Sequence, residues 1–117
     1  MITKIHKSKD LSGTLRYVYR EDANPVVVAS TATGFDRESV YRELAASSAR
    51  VARLKEDTTH MILSLPAEDD VSELVWGEIV TEYMEAMGYG ECLYVALKHN
   101  DTDHPHVHIV ASRVDAT

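Results

Sequence analysis

Apolar positions along this chain change period several times, and each change marks a switch between strand and helix. Residues 1–6 read as a first strand. Residues 11–21 read as a short helix, with Leu11, Leu15, Val18 and Tyr19 on one stripe at helical spacing. Asp22-Ala23-Asn24-Pro25 is a turn, because Pro25 disfavours helix at the residue before it. The β-branched run Val26-Val27-Val28-Ala29 predicts a second, short strand. The spacing then predicts a helix over 36–54, capped by Asp36, with Val40, Leu44, Val51 and Leu54 inward. Thr58 to Leu65 is a strand halted by Pro66. Both its faces (His60, Ile62, Ser64 and Met61, Leu63, Leu65) are largely apolar, which places it inside a sheet. A second long helix covers 71–87, with Val71, Leu74, Val75, Ile79, Tyr83 and Met87 inward and Gly88 as its stop. Cys92 to Lys98 and His106 to Val114 are the last strands, and the loop formers from Asn100 to Pro105 join them as a hairpin. The expected architecture is α+β: a mainly antiparallel sheet of about five strands with two long helices on one face.

A length of 117 residues allows one domain with one core, so residues 1–117 are read as a single domain. No apolar run approaches the ~18 residues that span a bilayer, and the first residues lack the apolar centre of a secretion signal. The lone Cys92 excludes an internal disulfide. A cytoplasmic protein suits these features. The net charge of −7 argues against binding nucleic acid by bulk positive charge. The charge is unevenly spread, however. Residues 1–20 hold Lys4, Lys7, Lys9, Arg16 and Arg20 against Asp10 alone. The stretch 67–91 holds Glu68, Asp69, Asp70, Glu73, Glu78, Glu82, Glu85 and Glu91 with no Lys or Arg. A basic surface and an acidic one are expected, the acidic one mainly a solvated helix face.

The chemistry concentrates in Lys98-His99-Asn100-Asp101-Thr102-Asp103-His104-Pro105-His106-Val107-His108-Ile109. Alternate strand residues share a face, so His106 and His108 present two imidazoles to one side, while Val107 and Ile109 point into the core. The hairpin returns His99 to the same place. Three neutral imidazoles suit Zn2+, Mn2+, Co2+ or Ni2+, and a three-residue ligand set leaves coordination positions open, as catalytic sites require. Asp101 and Asp103 could orient the imidazoles or add a carboxylate. His104 shares the parity of the pair but is offset by Pro105, and reads as a supporting or substrate-contacting residue. His60 lies on the inner strand, either as a satisfied core histidine or facing the site. His6 reads as a surface residue.

The run from His99 to Arg113 resembles the third motif of conjugative relaxases of the MobA/VirD2 type, members of the histidine-hydrophobe-histidine (HUH) endonucleases. Leu15-Arg16-Tyr17-Val18-Tyr19-Arg20-Glu21-Asp22 is similar to the family's first motif, and His60 to Pro66 to its middle segment. The resemblance implies an HUH-like fold and one divalent ion, Mg2+ or Mn2+, with Zn2+, Co2+ or Ni2+ as alternatives. It implies a tyrosine that nicks single-stranded DNA at a plasmid transfer origin, becomes joined to the 5′ phosphate and later reverses the reaction. Accessory mobilization proteins and a coupling protein are the implied partners. The motif selects Tyr17, which also lies off the apolar stripe that Tyr19 shares; Tyr19 is the alternative. Tyr41, Tyr83, Tyr89 and Tyr94 fall at apparent core positions. Lys4, Lys7, Arg16, Arg20 and Arg113 are the expected DNA-backbone contacts. Ser112 stands where the family carries Asn and keeps a hydrogen-bonding role. Relaxase domains continue well past the position of Val114, so residues 1–117 are expected to be the N-terminal part of a longer domain or protein. Replication initiators and transposases of the same superfamily place the histidine motif before the tyrosine; here Tyr17 comes first. The other alternative is an inactive relative that binds metal or DNA, or serves as an interaction module.

Overall fold

A computed structural model describes residues 1–51, 53–69 and 71–115. Among these described residues, five strands form one sheet: β1 (Ile2–Ser8), β2 (Val26–Ser30), β3 (Thr58–Ser64), β4 (Cys92–His99) and β5 (His106–Asp115). Their order is β1-β3-β5-β4-β2, and every neighbouring pair is antiparallel. The described residues also form three α-helices: α1 (Leu11–Val18), α2 (Arg37–Ser48) and α3 (Glu73–Ala86). The α+β class and the antiparallel sheet agree with the sequence pattern.

Strand parity splits the core in two. Val107, Ile109 and Ala111 of β5 join Met61, Leu63, Tyr94 and Ala96 beneath Trp76, Val80 and Met84 of α3. Val110, with Val95 and Leu97 of β4, faces the other way, beneath Leu11, Leu15 and Val18 of α1 and Val40 and Leu44 of α2. The two long helices therefore lie on opposite faces of the sheet, not on one face as expected. The reason is that β4 and β5 carry buried apolar residues on both sides, and each side needs cover.

Local signals set the helix starts. Asp10 accepts from the Gly13 amide, Asp36 from the Ser39 amide and Ser72 from the Val75 amide, each satisfying an otherwise orphaned donor. Gly88, at φ +85°, terminates α3 in a conformation that other residues avoid.

The inward faces differ from expectation in two helices. On α3, Trp76, Val80 and Met84 are buried, whereas Leu74 is 76% exposed and Val75 and Met87 also face solvent. All of these are apolar, so periodicity alone could not fix the rotation about the helix axis. On α2 the regular helix stops at Ser48 rather than near Leu54, and a 3-10 turn covers Ala49–Val51. Ser47 and Ser48 take the buried positions expected of Val51 and Leu54. Their hydroxyls bond to the Val114 carbonyl at 3.3 Å and to the Ser112 hydroxyl at 3.1 Å. Tyr41, expected in the core, is exposed.

The face that carries α3 also carries the acidic stretch: Glu73, Glu78, Glu82 and Glu85 are exposed on that helix, while Asp70 lies outside the described residues. The acidic part of the charge asymmetry read from the sequence thus lies on one side of the sheet.

Candidate active site

His99, His106 and His108 meet at the open end of the β4–β5 hairpin, where His99 pairs with His106 and Leu97 with His108. One ring nitrogen from each lies within 4.8 Å of the others. The ring centroids of His99 and His108 are 4.0 Å apart and those of His106 and His108 are 5.2 Å apart. His99 is 1% exposed and His108 3%.

Each imidazole is held from outside. His99 Nε2 donates to the Val18 carbonyl at 2.8 Å, at the C-terminal end of α1, where helix carbonyls have no partner of their own. His106 Nδ1 donates to the His104 carbonyl at 3.0 Å. His108 Nδ1 is 2.8 Å from His60 Nε2. With these outer nitrogens protonated, His99 Nδ1, His106 Nε2 and His108 Nε2 carry lone pairs. His99 Nδ1 is buried without a hydrogen-bond partner, a cost of about 1–3 kcal/mol unless something binds it. A divalent ion held by the three histidines would meet that need, and bonds of this outer kind fix tautomer and ring orientation in metal sites.

The electrostatics agree. Burial pushes the His108 pKa down to about 2, aided by the neighbouring His99, His60 and His106. Burial pushes His60 down to about 4, with His6 and His99 adding to the shift. His99 is lowered by burial too, against the opposing pull of its bond to Val18. Neutral imidazoles are the ligating form.

Tyr17 on α1 stands over this cluster. Its ring centroid is 5.7 Å from His108, 6.1 Å from His60 and 6.4 Å from His99, and the residue is 49% exposed. The Arg20 guanidinium stacks 4.3 Å above the ring and donates to the Tyr17 carbonyl. The same guanidinium pairs with Asp101 at 2.9 Å, and Asp101 lies 3.7 Å from His106 Nε2. Burial alone would raise the Asp101 carboxyl, but a backbone hydrogen bond and Arg20 hold it below the usual carboxylate range. Tyr17, Arg20, Asp101 and His106 thus form one chain of contacts. Tyr19 points elsewhere: its hydroxyl donates to the Phe35 carbonyl at 2.6 Å, and burial, then Asp36, pushes its pKa up to about 12.

The structure resolves the two readings of His60 in favour of facing the site. It does not bring in every residue expected there. Ser112 lies four residues along β5 from His108, ~13 Å at strand rise, sealed beneath α2 by Ser47 and Ser48. Arg113 points to the opposite face and donates to the Glu56 carbonyl. Lys7 pairs with Thr59, whose hydroxyl contacts Tyr89 below α3, so Lys7 also lies on the far face. Lys4 is on the histidine face and exposed, and Arg16 is exposed on α1 beside Tyr17. Asp103 and the His104 side chain are exposed in the hairpin loop. Two contributors escaped the sequence reading, the carbonyls of Val18 and His104. No residue type signals a carbonyl; only the docking of α1 on the sheet brings Val18 there.

Among the described residues, no helix is long and apolar enough to cross a membrane. No curated protein and no solved structure shows a significant match to the chain. The model of the MobA/VirD2-like relaxase nuclease domain matches residues 17–117, which run from Tyr17, near the end of α1, through the His60 strand to the histidine hairpin. The chain therefore belongs to the MobA/VirD2-like relaxase nuclease-domain family, a family of DNA-nicking enzymes.

Proposed function

We propose that this domain cuts and rejoins one strand of DNA at a plasmid transfer origin, with Tyr17 as nucleophile and His99, His106 and His108 as ligands of a single divalent ion. The observation that carries this reading is the pairing of an exposed tyrosine with three imidazoles whose outer nitrogens are all engaged and whose inner nitrogens converge. When bound, the ion acts as a Lewis acid on non-bridging phosphate oxygens. Trihistidine sites accept several metals, and Mg2+ or Mn2+ is the proposed physiological choice.

The chain's own groups supply the rest. Tyr17 Oη gives up its proton and forms a bond to the phosphorus. The bond from phosphorus to the 3′ oxygen breaks, and that oxygen leaves protonated. The phosphodiester is exchanged rather than hydrolysed, so resealing by the 3′ hydroxyl restores Tyr17 without a nucleotide cofactor. Arg20 braces the Tyr17 ring and sets positive charge beside the reacting phosphate. Asp101 holds Arg20 in place. His60 fixes the tautomer of His108. Tyr19, bonded to the Phe35 carbonyl and hard to ionise, is poorly suited to the nucleophile's part.

The test incubates the protein with labelled single-stranded DNA tiled across the region flanking its own coding sequence, with Mn2+ or Mg2+, followed by denaturing gels. A protein-linked band that disappears with EDTA and in Tyr17→Phe supports the reading. A band that survives Tyr17→Phe and is lost in Tyr19→Phe reverses the assignment. No band on any tile leaves a metal- or DNA-binding module in place of a nuclease.

A further inference from the structure

Helices roof only half of the histidine face. α2 packs on β4 and β5, and α1 lies over β5 and α2. The same face of β1 and β3 lies beyond them. There Ile2, Lys4 and His6 of β1 are exposed, and His60, Ile62 and Ser64 of β3 are half-buried. Register makes this strip continuous with the imidazoles. Ile2 pairs with Ser64 and Ser64 with His106; Lys4 pairs with Ile62 and Ile62 with His108.

Two hollows open on the strip. The inner one, about 420 Å3, is lined by Tyr17, His60, Ile62 and His6 among others. Asp10 also lines it, with one carboxylate oxygen taken by the Gly13 amide. The outer hollow, about 540 Å3, is lined by Ile2, Lys4, Ser64, Leu65 and His104 among others. From β5 to β1 the strip is ~10 Å across, room for two or three nucleotides at the ~3.4 Å charge spacing of a stacked strand. The glutamates of α3 lie behind the sheet, so their charge does not face a polyanion here.

We propose that this strip is a track for single-stranded DNA, which holds the nucleotides on one side of the scissile phosphate, with bases resting on Ile62 and Ile2 and a phosphate on Lys4. Continuity with Tyr17 and the imidazoles selects DNA over other occupants, and Lys4 supplies the matching charge. Aliphatic and imidazole surfaces meet a base face without reading its edge, so the track grips the strand with little sequence preference. The inference rests on the nicking reading for the identity of the strand and adds its path.

Lys4 and Lys7 provide an internal control, because they are three residues apart on one exposed strand and face opposite ways. The probe is fluorescein-labelled oligo(dT) of twelve nucleotides, bound to the full chain in Mn2+ and followed by anisotropy. Lys4→Glu is expected to weaken binding about five- to tenfold, and Lys4→Ala to reduce the salt slope by ~0.7, the value for one single-strand phosphate contact. Lys7→Glu is expected to stay within about twofold of wild type. In Ile2→Trp, a solvent-exposed position at 68%, the new indole is expected to be quenched by the oligonucleotide. Equal losses in Lys4→Glu and Lys7→Glu would reduce the effect to bulk charge and overturn the track, as would no loss in Lys4→Glu. The two readings separate cleanly. A Tyr17 adduct with an unmoved Lys4→Glu sinks the track and spares nicking; a preserved Lys4/Lys7 contrast with no adduct does the reverse.

Discussion

Lowering the pH from 7 to 5 should destabilise this domain in the absence of metal, and the histidine cluster should be the cause. The folded protein holds His108 neutral down to a pKa of about 2 and His60 to about 4. In the unfolded chain both titrate near ~6.5. Their folded-state pKa values are depressed, so the stability they permit is complete above ~6.5 and is lost as pH falls toward the folded values. At pH 5 the unfolded imidazole carries a proton that folded His108 does not. The gap of ~1.5 pH units at ~1.4 kcal/mol each is a loss of about 2 kcal/mol. His60 adds a smaller amount because solvent reaches it, and His99 shifts in the same direction. The lowered carboxyls of Asp36, Glu43 and Asp101 act only below the unfolded carboxylate range of ~4, so they stay silent in this window. The assay is urea unfolding followed by far-UV circular dichroism at both pH values with EDTA present. His108→Asn should shrink the pH 7 to 5 loss by about 2 kcal/mol. Equal midpoints at pH 7 and 5, or the same loss in His108→Asn, would refute the argument that these rings are held neutral by burial.

Other consequences are equally open to measurement. His60→Leu removes the partner of His108 Nδ1 and should cost about 10–100-fold in Mn2+ affinity by chelator competition, while unchanged affinity would deny His60 its positioning role. Ser112→Ala should lower stability by about 1 kcal/mol through its bonds to Ser47 and Ser48 and leave metal affinity untouched. Gly77→Ala should destabilise by about 1–3 kcal/mol despite alanine's better helix propensity, because its Cβ would stand 2.6 Å from the Val28 carbonyl oxygen; a stability gain in thermal melts would contradict that packing.

Much of this was legible in the sequence, for identifiable reasons. Strand parity alone put His106 and His108 on one face and Val107 and Ile109 on the other, and the hairpin loop returned His99. The α1 stripe through Leu11, Leu15 and Val18 left Tyr17 outside the core, as its exposure bears out. What failed was decided by packing between distant elements. The rotation of α3 depended on where Trp76 fits against the sheet, not on hydrophobicity, since Leu74 and Met87 are as apolar as the residues that won. Ser112 shares the parity of the histidines, yet α2 covers its end of β5 and not theirs. Arg113 shares the parity of Val107 and Ile109, and Lys7 alternates with Lys4, so the strand period by itself already set both apart from the histidine face. His60 was undecidable from one strand; the pairing of β3 with β5 settled it.

The central claim is that one tyrosine and three histidines form a single DNA-joining centre. Tandem mass spectrometry of the protein–DNA adduct formed in Mn2+ tests it most directly. The account predicts that the nucleotide phosphate is found on Tyr17 and that no adduct forms in His99→Ala or His108→Ala. A phosphate found on Tyr19 or on another residue, or adducts undiminished in the histidine variants, would contradict it.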